Sequence, residues 1–218
     1  MDSLTTKGLI GLGGLSVAGG GGALAWQQGL LSGKSETIRD KLEKEGYEVL
    51  GKTSEHWSKI FDVYKGDGNT KKFKNDQITS SSSTADHDKL KQQCENSLDL
   101  ESSKKEDYEK VIKWCVVPRK VEDLIPKSSL LGVVSGDTSD ASSWKPILTE
   151  YAATKSTSGS SNTYELSGVT LTEPSNASND STNINALKTG CKARREKLTY
   201  QLDFESSLGE VKKWCTAR

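Results

Sequence analysis

The sequence predicts a mainly α-helical protein: an N-terminal hydrophobic helix, transmembrane or signal-anchor, followed by two tandem small helical repeats joined by Ser/Thr/Asn-rich loops. Three observations predict it. Residues 8–31 carry no charge. Apolar residues recur at offsets of 0, 3, 4 and 7 in two separate stretches, the spacing of one helical face. The run Val-x-Lys-Trp-Cys occurs twice, at residues 111–115 and 211–215. These features divide the chain into a membrane segment, 1–34, a first repeat unit, 35–117, and a second, 118–218.

The N-terminal segment, residues 8–31, would be roughly 36 Å long as a helix, against a hydrocarbon core of about 30 Å. Nine of its 24 residues are Gly, a poor composition for a helix in water. A bilayer tolerates Gly better, because it forces the backbone to satisfy its own hydrogen bonds. Trp26 falls where an interfacial aromatic belongs. Gly14, Ala18 and Gly22 lie four apart, a spacing that lets two such helices pack closely and predicts a homodimer contact. Ala23-Leu24-Ala25 also fits a signal-peptidase site, so an uncleaved anchor and cleavage after Ala25 are both open. Gly11-x-Gly13 lacks the preceding strand of a dinucleotide fold, and the stretch 29–35 is one residue short of a P-loop.

Composition narrows the functional classes. Thirty basic residues balance thirty acidic ones, so no net field draws the protein to a polyanion, and a nucleic-acid partner is disfavoured. The basic cluster Lys192, Arg194, Arg195 and Lys197 is interleaved with Glu196 and reads as a solvated helical face. Only 33 % of residues are hydrophobic, which implies small cores.

Within each unit the landmarks keep one order. Ile38-x-Asp40-x-Leu42 corresponds to Val121-x-Asp123-x-Ile125. Next come the helical faces Trp57, Ile60, Phe61, Tyr64 and Trp144, Ile147, Leu148, Tyr151. After a polar spacer, Leu-Lys-x-x-Cys follows at 90–94 and 187–191, and the Trp-Cys run closes each unit. Four matched landmarks in one order indicate tandem duplication. Cys94, Cys115, Cys191 and Cys215 all fall at matched positions, as do Trp57, Trp114, Trp144 and Trp214.

Each unit should end in a helical hairpin. Leu90, Cys94 and Leu98 share one face, and Tyr108, Val111, Ile112 and Cys115 share another. Ser103 and Glu106 have capping-box spacing for the second helix. In the second unit the corresponding faces are Leu187, Cys191, Leu198, Leu202 and Leu208, Val211, Cys215, with Ser207 and Glu210 as the cap. An antiparallel hairpin brings Cys94 opposite Cys115 and Cys191 opposite Cys215, so two disulfides are expected, with Trp114 and Trp214 packed beside them. Four reduced, buried cysteines are the alternative. Zinc is not favoured: no CxxC occurs, and His56 and His87 are matched by Ser143 and Ile184. The tracts 78–88, 155–163 and 172–183 read as exposed, mobile loops. No catalytic constellation and no cofactor is implied.

The N-terminal run MDSLTTKGLIGLGGLSVAGGGGALAW, with the paired LKxxC and KWC landmarks, resembles the paralogous uncharacterised proteins of haemotropic mycoplasmas. That resemblance implies a bacterial membrane-associated or surface protein involved in host interaction or antigenic variation, with a host surface or an antibody as partner. With no cysteine near the N-terminus, a lipoprotein anchor is not expected. Topology has two readings. Lys34, Arg39, Lys41 and Lys44 follow the segment against Lys7 before it, which favours a cytoplasmic C-terminal region, a membrane-tethered scaffold. Paired cysteines favour an extracellular one.

Overall fold

The two tryptophan stripes found in the sequence, Trp57, Ile60, Phe61, Tyr64 and Trp144, Ile147, Leu148, Tyr151, are buried and carry much of the core. The computed structural model describes residues 35–158 and 161–218. The expected N-terminal helix, the contact at Gly14, Ala18 and Gly22, Trp26 and the cleavage site after Ala25 lie outside the described residues. Among the described residues the protein is mainly helical, and no helix is long and apolar enough to cross a membrane.

In the first half, α1 (Ile38–Lys44) starts from a capping box in which Thr37 and Asp40 exchange hydrogen bonds. It buries Ile38 and Leu42. Helix α2 (His56–Tyr64) buries Trp57, Ile60, Phe61 and Tyr64, the expected stripe. Helices α3 (His87–Leu98) and α4 (Lys105–Trp114) form the hairpin. In the second half a short 3-10 turn, Val121–Leu124, stands where α1 stood. Helix α5 (Ala141–Ala152) buries Trp144, Ile147, Leu148 and Tyr151. Helices α6 (Asp180–Arg195) and α7 (Phe204–Trp214) complete the second hairpin.

The two halves share more than helices. Ile38 N–H donates to Leu100 O, and Val121 N–H to Lys197 O. Leu50 N–H donates to Cys115 O, and Leu131 N–H to Cys215 O. Single antiparallel pairings follow the same rule: Thr37 with Glu101 and Lys120 with Leu198, then Val49 with Val116 and Leu130 with Thr216. Each half thus ties its opening segment first to the turn and then to the end of its hairpin with matching bonds. Two apolar cores result, one around Trp57, Tyr64 and Trp114, the other around Trp144, Tyr151 and Trp214. Tyr200, from the second half, is buried in the first core.

Several local expectations are corrected. Ser103 caps nothing: its hydroxyl bonds Glu101, the residue before α4 is Lys104, and Glu106 pairs with Lys110 instead. Ser207 lies inside α7, which starts three residues earlier at Phe204. Ile112 and Leu208 are only partly buried. Helix α6 stops at Arg195, so Leu198 lies in the link and Leu202 is exposed. Parts of the polar tracts take defined structure. Two short strands, β1 (Ser156–Ser158) and β2 (Ser161–Thr163), pair antiparallel. The tract before α6 is held by Asn183, which is buried and bonds both the N–H and the carbonyl of Thr172.

Candidate functional site

The chemistry-bearing residues gather around the two hairpins. Disulfides join Cys94 to Cys115 and Cys191 to Cys215, with Cα atoms 5.5 and 5.7 Å apart. Each closes a short loop, across sequence separations of 21 and 24 residues. All four cysteines are buried.

The tryptophans work in two pairs. Trp57 donates its indole N–H to Gly51 O at 2.9 Å, and Trp144 donates to Gly132 O at 3.2 Å. These bonds fix the loop before α2 and before α5 against its own helix. The closing indoles turn toward tyrosines. Trp114 stands edge-on to Tyr64 at 5.1 Å and donates to Lys71 O; Trp214 stands edge-on to Tyr151 at 5.2 Å and donates to Glu165. Such edge-to-face pairs add to the stability gained from burial alone. Trp57 of α2 is among the residues that line the cleft beside the first bridge, and Trp114 stands edge-on to Tyr64.

Both tyrosines are anchored through their hydroxyls. Tyr64 donates to Asp76 and accepts from Phe73 N–H. Tyr151 accepts from Leu166 N–H and contacts the carbonyls of Leu166 and Val169. Burial, with the Asp76 carboxylate beside it, pushes the Tyr64 phenol well up. Burial pushes that of Tyr151 up to about 12.

Four cations are buried among the described residues: Lys110, which pairs with Glu106 on its own helix at 2.7 Å, and Lys113, Lys188 and Arg195. Lys113 reaches across to the second half, 3.1 Å from both Glu205 oxygens and 2.8 Å from Gln201 O. Lys188 is fully buried and bonds Asp140 Oδ1 and Asp137 O. Arg195, expected on a solvated face, is 5 % exposed and donates to Leu131 O and Cys215 O, with its Nε unpartnered. The signal for Lys188 was present: its Leu-Lys-x-x-Cys run sets a charge directly beside the apolar face. Arg195 was hidden because it takes the position, four residues after the cysteine, that Leu98 holds in the first half.

Two clefts accompany these groups. One, of about 210 Å³, opens beside the Cys94–Cys115 bridge and is lined by Trp57 together with Arg39, Lys52, Lys91 and Glu95. The other, about 360 Å³, lies between the starts of α5 and α6, where Lys145 pairs with Asp180 at 3.3 Å. Its walls mix hydroxyls, carboxylates and the Asn185 amide with the apolar side chains of Ala141, Ala177 and Ile184. His87 packs edge-on against Phe61 at 4.5 Å, its Nε2 without a partner. Among the described residues no group of three His, Cys, Asp or Glu side chains is placed to hold a metal ion. No protein-family model, curated protein or solved structure matches the chain.

Proposed function

We propose that this is a membrane-anchored, surface-exposed bacterial protein that acts by binding or antigenic display rather than catalysis, in host interaction or antigenic variation. The observation that carries the reading is the pair of disulfides, one in each half. Disulfides form and persist in oxidising, extracytoplasmic surroundings. The uncharged run 8–31 supplies the anchor. The exposed Ser/Thr/Asn-rich tracts, carried on stapled hairpins, supply surface that tolerates change without disturbing a core.

A cytoplasmic-facing scaffold is the second reading, favoured by the cations that follow the hydrophobic run. Three of these are engaged inside the folded unit: Arg39 with Asp99, Lys41 with Glu45 and Lys44 with Glu36. Long downstream domains also translocate largely regardless of flanking charge. Protease treatment of intact cells decides between the two. The surface reading expects the 35–218 region to be lost before lysis; its survival until the membrane is opened refutes that reading.

A further inference from the structure

The two Leu-Lys-x-x-Cys segments place Lys91 and Lys188 at the same position, three residues before the bridged cysteine, and their ammonium groups end differently. In the second half, Lys188 Nζ lies 2.5 Å from Asp140 Oδ1, and the other oxygen, Oδ2, accepts the Trp144 indole N–H at 3.0 Å. The chain's own carboxylate thus sits between an ammonium and an indole. It also lies directly over Gly132, where an added Cβ would meet Asp140 Oδ2 at 2.7 Å. Arg195 seals the same side through Leu131 O and Cys215 O.

The first half keeps the ammonium and the indole and lacks the carboxylate. Four residues before Trp57 stands Thr53, where Asp140 precedes Trp144, and Leu98 replaces Arg195. What remains is the open cleft beside the Cys94–Cys115 bridge, with Trp57 and Lys91 in its lining. Lys52 pairs with Glu95 in the same lining at 2.8 Å, and Arg39 stands 3.8 Å from the exposed Asp99. Lys91 meanwhile turns to Asp88, whose side chain is 86 % exposed, a partner that water readily replaces.

We infer that the cleft beside the Cys94–Cys115 bridge binds a carboxylate, taking from a ligand the group that Asp140 supplies in the second half. Its size suits an acidic side chain of a partner segment or a small free carboxylic acid. Lys91 turns inward to meet the ligand. The Trp57 N–H is shared between Gly51 O and the ligand, as Trp144 shares its own between Gly132 O and Asp140. This goes beyond the location reading and holds on either side of a membrane.

The test follows the Trp57 indole N–H resonance of the full-length protein during titration with propionate, with propionamide, and with a short peptide carrying a single Glu or Gln. A saturable shift is expected with the carboxylates and absent with the amides, while the Trp144 resonance stays fixed. Lys91→Met should bind about tenfold more weakly, the cost of one charge-assisted hydrogen bond; an unmoved Trp114 indole signal, from the first core, shows that this half of the variant is folded. A shift from the Glu peptide without one from propionate means that the site reads a side chain in a partner chain. A shift from both means that the carboxylate suffices. No saturable shift from either carboxylate, or undiminished binding by Lys91→Met, overturns the inference.

Discussion

Removing one bridge should unfold one half. In Cys94→Ala/Cys115→Ala the lost cross-link spans 21 residues of sequence. Releasing a loop of that size returns about 3 kcal/mol of entropy to the unfolded chain. Both sulfurs are buried, and each truncation adds roughly 1 kcal/mol on the scale of a lost buried methylene. The sum, about 5 kcal/mol, is comparable to the lower end of domain stability, about 5–15 kcal/mol. Because the two apolar cores are separate, with Tyr200 the buried residue of the second half that joins the first core, the loss should fall on residues 35–117. Urea unfolding followed by limited proteolysis and nonreducing peptide mapping reads it directly. A new early transition is expected, with cleavage confined to the first half and the Cys191–Cys215 peptide intact. A loss below about 1 kcal/mol would show that the bridge constrains little. Simultaneous cleavage of both halves would refute their energetic separation.

Alkaline pH should destabilise the fold in a defined window. Burial holds the Tyr151 phenol at about 12 against an ordinary 10.0, and raises Tyr64 and Tyr108 as well. A raised folded-state pKa gives stability that is complete below the unfolded value and is lost as pH climbs from 10 through 12. Phenolate absorbance and circular dichroism should therefore change together there; buried tyrosines ionising with the fold intact would contradict this. Lys113→Met should cost about 1–3 kcal/mol, since it strands the carbonyls that the ammonium now bonds. It should also speed amide hydrogen exchange at residues 197–203, and unchanged exchange there would remove Lys113 as the tie between halves.

The sequence revealed what repeats and hid what differs. Both tryptophan stripes were legible because helical periodicity is a statement about burial, and every residue of each stripe is buried. The cysteine pairing was legible because two duplicated hairpins leave each pair facing itself. The caps were not. Ser103 and Ser207 have the right spacing to Glu106 and Glu210, yet where a helix starts depends on tertiary bonds the spacing does not contain. Ser207 is carried inside α7 because packing extends that helix back to Phe204, which is buried. The lack of apolar residues in the tracts rich in Ser and Asn predicts mobile loops. One of them is instead ordered by hydrogen bonds, through the buried amide of Asn183.

The buried cations explain why the two units are not interchangeable. Each half alone has a core too small to leave much margin, since a short chain buries a smaller fraction of its surface. The bridges relieve that deficit equally in both halves, so they cannot account for the differences between them. Those differences lie at matched positions. Arg195 stands where Leu98 stands, and Asp140 precedes Trp144 where Thr53 precedes Trp57. In the second half the substitutions bring an ion pair and a guanidinium into the fold, and each buried charge there needs its partner: Lys188 has Asp140, and Arg195 has two carbonyls. Burying charge is a costly way to stabilise a core that a leucine would fill. The first half, with leucine at that position, leaves Arg39, Lys52 and Lys91 in the lining of an open cleft. The scaffold bonds are common to both units, so the open cleft is a feature the duplicated framework does not require for folding. It is the place where the first half can meet something other than itself.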